Sequence, residues 1–219
     1  MNLKVLYEDN HILAVFKPGG MLTQPSGTEQ DSVEAQAKAW IKQKYQKPGN
    51  VFLHAVHRLD KPVSGIVLFA RTSKALSRLQ ESMREKRSRK GYLAVVEGEM
   101  PAKEGVLEHY LTHDDFKASI STESNPEAKL ARLQYRLLKS QGSVFALIEI
   151  QLETGRYHQI RVQCAAVGCP IIGDLKYGSK HRLEEGVIAL HHSRLEIQHP
   201  ITQEWLVINA EVPDYWPMD

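Results

Sequence analysis

The sequence has little of several features that define whole classes of protein. Only 2 of its 219 residues are cysteine, which excludes a scaffold built on disulfides and favours a reducing compartment. No apolar run approaches the roughly 20 residues that a membrane-spanning helix needs. The first residues carry acids and no long apolar stretch, a pattern unlike that of a signal or transit peptide. We therefore expect a cytoplasmic protein that has no membrane partner.

The motifs that hold nucleotides and metals are also missing. No Gly-x-Gly-x-x-Gly or phosphate-loop spacing occurs, so the sequence gives a nucleotide cofactor no support. Cys164 and Cys169 do not have a zinc-binding spacing. His191 and His192 are adjacent, and on a strand they would point to opposite faces, which makes it difficult for them to share one ion. We predict neither a metal nor a cofactor.

What remains is the composition of an ordinary globular protein, with 42% hydrophobic and 25% charged residues. This length fits a single domain spanning 1–219. The net charge of +2 does not by itself indicate a nucleic-acid partner. The charge is unevenly distributed, because residues 71–92 hold eight basic residues against two acids. A basic stretch of this kind can steer RNA toward one part of a nearly neutral molecule.

The order of apolar segments predicts an α+β fold, with a largely antiparallel mixed sheet and a few flanking helices. Hairpins are predicted at 3–16 and 130–152, and the fully apolar run 66–70 predicts a buried strand. Helical periodicity or capping patterns predict helices at 31–45, 73–86 and 155–167. Further strands are predicted at 92–96, 188–197 and 205–208, whereas the polar segment 114–127 is expected to be a loop.

The first segment that could carry chemistry is His57-Arg58-Leu59-Asp60, on a loop just before the predicted buried strand. Loops on rigid scaffolds often hold active groups. Asp60 could act as a nucleophile, a base or an electrostatic stabiliser. The alternative is an Asp–Arg pair that fastens a turn, and residue types alone favour this alternative.

Two other segments could bind anions. If Thr154 caps the third helix, His158 and Arg161 lie on one face near its start, where an Arg suits phosphate or carboxylate binding. The alternative is a solvated helix start. The basic run 84–90, followed by Tyr92, could combine phosphate contacts with base stacking. The residue types alone favour the alternative, a polar helix end followed by a packed strand aromatic.

Taken together, these segments resemble the motifs of the RluA-type pseudouridine synthases, and the resemblance covers nearly the whole chain. The motifs are Lys17-Pro18-Gly19-Gly20, His57–Asp60 with Ser64-Gly65, Lys90–Gly98, Thr154–Arg161, Gly168–Asp174, and Leu190-His191 with His199-Pro200. Three residues depart from the family pattern, since Val63, Gln163 and His192 stand where Thr, His and Ala are usual. The resemblance implies a bare catalytic domain without the separate small N-terminal RNA-binding domain of many relatives.

The resemblance also implies the reaction and the residues of the chemical step. Members of the family isomerise uridine to pseudouridine in structured RNA, either ribosomal or transfer RNA, after the base has been flipped out of its stack. Asp60 would be the essential carboxylate and Arg161 its basic partner. Tyr92 would stack on the target base and help to move the proton at C5. No metal or cofactor is implied, and we expect a monomer.

The remaining implied residues bind the substrate. Arg58 would fill the vacated space or contact the flipped nucleotide, and Leu190 would pack beside the base. His57, Arg156 and His158 complete the predicted substrate-binding set. The predicted RNA backbone patch consists of Arg84, Lys86, Arg87, Arg89 and Lys90.

Two other functions remain open from the sequence. A non-catalytic RNA-binding module would keep the basic patch but would not need a carboxylate beside an arginine. A nucleoside hydrolase would need two converging carboxylates, for which Asp174 is a possible second member.

Overall fold

The computed structural model describes residues 3–184 and 186–217. The chain forms two compact units. Unit 1 comprises the chain up to Arg89 together with His192–Val212, and unit 2 comprises Lys90–His191 together with the residues from Pro213 onward. Within the described ranges, no helix is long and apolar enough to cross a membrane. The expected single domain spanning 1–219 stays a prediction.

The secondary structure elements are numbered in chain order. The strands are β1 (Val5–Glu8), β2 (Ile12–Lys17), β3 (His54–Ala55), β4 (Ser64–Ala70), β5 (Arg89–Glu97), β6 (Glu104–His113), β7 (Ala118–Ser121), β8 (Lys129–Gln141), β9 (Phe145–Leu152), β10 (Leu190–Gln198) and β11 (Trp205–Asn209). The helices are α1 (Val33–Lys44), α2 (Ser73–Arg84) and α3 (Gln159–Ala166), and Leu175–Tyr177 form a short 3-10 helix.

Unit 1 is built around β4, all seven of whose residues are buried. Strand β2 pairs antiparallel with both β1 and β4, while β3 pairs with β4 and β11 pairs with β10. Helix α2 begins after Thr72, whose side-chain oxygen accepts the Ala75 amide, and it places Ala75 and Leu79 in the core. The rest of this core consists of Ile12, Ala14, Ile66, Leu68, Ala70, Leu195, Ile197, Ile208 and Ala210.

Gly65 lies where the backbone of β4 closely approaches that of His192. Its φ is +122°, in the region that favours glycine, and an added Cβ would lie 2.6 Å from the His192 amide nitrogen. Only a residue without a side chain fits this position. The start of β4, and with it the end of the loop that carries Asp60, is therefore fixed against its neighbour in unit 1.

Unit 2 contains an antiparallel run of strands in the order β5, β9, β8, β6 and β7. Val162 of α3 packs in a core cluster with Leu111, Ala118, Ala131 and Tyr177. The α+β fold class predicted from the sequence is confirmed. The buried strand, both hairpins and the first two helices also lie close to their predicted ranges.

Two local predictions were wrong. The third helix begins at Gln159 instead of after Thr154, and its N-cap is His158 in the left-handed region at φ 51°. The Thr154 hydroxyl instead donates to the Gln159 side chain at 2.8 Å and accepts the Arg132 amide at 2.8 Å, so it ties β8 to the loop before α3. The segment 114–127 contains β7, whose polar residues pair with β6 through the backbone despite their weak apolar signal.

Candidate active site

The loop that carries Asp60 is held at its backbone on both sides of that residue. The buried Thr23 hydroxyl donates to the Leu59 carbonyl at 2.8 Å and accepts the Leu59 amide at 3.1 Å. The Gly20 amide donates to the Lys61 carbonyl at 2.9 Å, and the Val63 amide donates to the Asp60 carbonyl at 3.0 Å. Asp60 itself is half-buried. A partly accessible carboxylate on an immobilised loop satisfies the first geometric requirement of a catalytic group.

Lys17 lies beneath this loop and is completely buried. Its ammonium donates to three backbone carbonyls, those of Pro18 at 2.9 Å, Met21 at 2.7 Å and Lys61 at 3.1 Å. Burial lowers the pKa of Lys17 to about 7, and the negative charge of Asp60 acts in the opposite direction. The amine thus joins the early Lys-Pro loop to the residue that follows Asp60. The sequence motif indicated this lysine but not its burial.

Replacement of Lys17 by methionine should destabilise the protein by about 2–3 kcal/mol at pH 7, because buried carbonyls lose a donor. The loss should depend on pH. The pKa of Lys17 is about 7 in the folded protein, and its ordinary value is 10.5. Between pH 7 and pH 10.5 the unfolded chain therefore binds more protons than the folded protein. Stability due to this residue therefore rises as the pH rises from 7 toward 10. Urea unfolding of the unchanged protein and of Lys17→Met at pH 7, 8.5 and 10 should show that the difference between their free energies of unfolding widens as the pH rises.

The matched control for this measurement is Lys61→Met in the same loop. The Lys61 side chain is exposed and donates to Gln30 at 3.1 Å. We expect a loss within about 0.5 kcal/mol. Equal losses for the two variants would mean that Lys17 does not fix the loop.

The predicted substrate-binding residue His57 is held against β4. Its Nε2 accepts the Leu68 amide at 3.3 Å, and its ring meets the His192 ring edge-on at a centroid distance of 5.2 Å. His192 is fully buried, with its Nδ1 2.8 Å from the Ile66 carbonyl. His57 therefore fastens the start of the motif to the sheet, while the neighbouring Arg58 is exposed. Their roles toward the substrate stay predictions.

Three of the predicted residues of unit 2 lie on strands. Tyr92 is on β5 opposite Ile150 of β9, and it is 7% exposed. Leu190 begins β10 and is buried. Lys90 is half-buried, and burial lowers its pKa, which makes it less suited to an RNA phosphate than an exposed lysine.

Arg161 forms a deeply buried ion pair with Asp174 in unit 2. The guanidinium donates through Nε to one Asp174 oxygen at 2.6 Å and through a terminal nitrogen to the other at 2.8 Å. The two side chains are 5% and 2% exposed. The Tyr177 ring lies 5.1 Å from the guanidinium carbon. The sequence suggested Asp174 only as a second hydrolytic carboxylate, but in the structure its charge is compensated by Arg161.

The other members of the predicted set differ in accessibility. Arg156 is exposed and its Nε donates to the Leu130 carbonyl at 3.0 Å, whereas His158 is 8% exposed. In the predicted backbone patch, four side chains are exposed. Two of these contact acids, Arg87 at 2.7 Å from Glu85 and Arg89 at 3.7 Å from Glu196. The other two exposed members are Arg84 and Lys86.

The fold is that of the pseudouridine synthases. It matches the structure of human RNA pseudouridylate synthase domain containing 4 with a TM-score of 0.80 and 23% identity, over 97% of this chain and 89% of that one. Residues 11–166 match the family described as RNA pseudouridylate synthase. The chain belongs to this family, and it is an isomerase that converts uridine in RNA to pseudouridine.

Bacterial relatives cover nearly the whole chain. An RNA pseudouridine synthase of Bacillus subtilis (strain 168) is 34% identical over 213 residues, which are 96% of this chain and 69% of the relative. The tRNA pseudouridine synthase C of Haemophilus influenzae is 32% identical over 98% of this chain and 95% of its own. The family and reaction predicted from the motifs are confirmed, and the non-catalytic and hydrolytic alternatives are not favoured.

Proposed function

We propose that this enzyme modifies particular uridines in loops or bulges of ribosomal or transfer RNA, with Asp60 as the essential carboxylate. The observation that carries the proposal is the fixation of the Asp60 loop by Thr23, Gly20 and Lys17 around a half-buried side chain. Relatives named for ribosomal RNA and for transfer RNA both support it. Ribosomal large subunit pseudouridine synthase C of Rickettsia prowazekii is 30% identical to this chain, and the tRNA pseudouridine synthase C of Haemophilus influenzae is 32% identical. We propose further that the enzyme acts in the cytoplasm as a monomer without a metal.

The reaction is an isomerisation in which every atom is retained except for proton exchange. The bond from C1′ to N1 of uracil breaks, the ring turns, a bond from C1′ to C5 forms, and the hydrogen on C5 leaves as a proton. In this scheme an ionised Asp60 attacks the sugar or the base, or removes a proton from the sugar. Lys17 lies close enough to Asp60 for the carboxylate charge to act on its amine, and its Nζ donates to the Lys61 carbonyl directly after Asp60.

The other predicted residues receive roles in recognition and proton transfer. Tyr92 stacks on the uracil and assists the proton transfer at C5, with Leu190 packed beside the base. Arg161 supplies positive charge to the reacting groups, and Arg58 fills the space from which the nucleotide has flipped. The exposed members of the backbone patch contact phosphates, so RNA binding weakens as salt is added.

Release of tritium from RNA made with 5-tritiated uridine tests this function. The expected result is tritium in water, with pseudouridine and no free uracil after complete digestion of the RNA. The two probes are unmodified transcripts of large-subunit ribosomal RNA and of transfer RNAs. Release of free uracil would indicate a hydrolase, and binding of both transcripts without tritium release would indicate a non-catalytic module.

A further inference from the structure

Unit 2 presents an aromatic ring at its surface in a fixed orientation, at a residue with no role in the proposed function. Tyr157 is 39% exposed, and its ring stacks on the His158 imidazole with a centroid distance of 3.9 Å and an interplanar angle of 17°. A second ring, that of His113, lies 5.3 Å away. His158 thus covers one face of the phenol, and part of the remaining surface of Tyr157 is exposed.

A buried network holds the ring beneath Tyr157. The His158 Nδ1 lies 2.8 Å from the Tyr177 hydroxyl, which accepts the Ala118 amide at 2.8 Å. The backbone of His158 has φ 51°, a left-handed conformation that residues other than glycine rarely adopt. Such outliers persist only where the surrounding structure determines them, and they are concentrated at functional sites. The network thus orders Tyr157 before any ligand arrives.

Positive charge is available in the segments around this stack. Arg156 precedes Tyr157 and is exposed. The Lys117 ammonium lies 5.3 Å from the Tyr177 ring that supports the stack. The same turn carries two acids: Asp114 accepts the Phe116 and Lys117 amides at 2.7 and 2.6 Å, and Asp115 is exposed.

We propose that a nucleotide of the RNA substrate, other than the uridine that is modified, stacks on the exposed part of the Tyr157 ring while Arg156 and Lys117 attract its phosphates. Aromatic rings beside cations bind unpaired bases in this way, without a requirement for sequence. The inference rests on the proposed function, because the ligand is the RNA substrate. It adds a second anchoring point in unit 2 that holds RNA through a base.

The first test is Tyr157→Ala, measured by filter binding to the large-subunit ribosomal and transfer RNA transcripts. The dissociation constant for the RNA that is modified should rise by about 5- to 100-fold, the range found when a stacking aromatic is removed. KM should rise with it, while kcat stays within about 2-fold because the reacting groups are untouched. Tyr157→Phe and Tyr157→Trp should bind within about 3-fold of the unchanged enzyme, since both keep the ring.

Salt dependence distinguishes stacking from a charge effect. Tyr157→Ala should leave the slope of log K against log salt unchanged, whereas Arg156→Ala should reduce it by about one unit. Trp205→Ala is the matched control, because this aromatic is 58% exposed on β11 without a stacked partner ring described, and its loss should not change binding. Circular dichroism and thermal melting verify that each variant is folded.

Photocrosslinking gives a direct readout. RNA transcribed with 5-iodouridine, bound to Asp60→Asn and irradiated, should yield a cross-linked peptide that contains Tyr157. The inference is overturned if Tyr157→Ala binds both transcripts as tightly as the unchanged enzyme, or if Tyr157→Phe is as weak as Tyr157→Ala. These outcomes are separate from failure of the proposed function, which would appear as absence of tritium release by the unchanged enzyme.

Discussion

Asp60→Asn should reduce the formation of pseudouridine by more than about 1,000-fold while leaving RNA affinity within about 3-fold of the unchanged enzyme. The amide has nearly the shape of the carboxylate, but it can neither attack carbon nor accept a proton as a base. The loop should keep its conformation, because its anchors are backbone contacts with Thr23, Gly20 and Lys17. Turnover is measured as the single-turnover release of tritium when the RNA is saturated with enzyme. RNA affinity is measured by filter binding at the same salt concentration.

Glu29→Gln provides the control for this substitution. It makes the same carboxylate-to-amide change at an exposed residue of unit 1, and it should release tritium at the ordinary rate. Normal turnover by Asp60→Asn would show that the assignment of the essential carboxylate is wrong. Loss of RNA binding in parallel with turnover would instead show that Asp60 acts by holding RNA.

The position of the Asp60 loop could be predicted because its signals are local in the sequence. The apolar run from Ile66 to Ala70 identifies a buried strand, and polar residues with Pro62 and Gly65 directly before it indicate a loop at the end of that strand. These local features are sufficient to place Asp60 on a rigid support. The family motifs then imply the role of Asp60, which composition and spacing alone left undecided.

The contacts that hold the site could not be predicted, since they join residues that are distant in sequence. Hydropathy argues against burying Lys17, and only the fold shows that three carbonyls converge on its ammonium. Similarly, helical spacing gave no reason to pair Arg161 with a residue 13 positions later, in a segment rich in turn-forming residues. The start of α3 is shifted because the backbone of His158 is left-handed, and the side chain of this residue makes a buried contact with Tyr177.

The pairing of Arg161 with Asp174 leads to the largest stability change that we expect. Asp174→Ala should lower the free energy of unfolding by about 3–5 kcal/mol, because a guanidinium that is 5% exposed would lose its bidentate partner. Glu149→Ala removes a partner of Arg136 from an exposed pair in the same unit, and it should cost less than about 1 kcal/mol. Urea unfolding of both variants measures the difference.

The double substitution Arg161→Met with Asp174→Leu separates the structural from the chemical contribution of this pair. Removing both charges leaves neither one buried alone, so most of the stability lost in Asp174→Ala should return. Turnover should not return, because Arg161 is proposed to supply positive charge to the reacting groups. A double variant that is stable and releases tritium at the normal rate would limit Arg161 to holding the loop around Asp174. A stable but inactive variant with normal RNA affinity would place its charge in the chemical step.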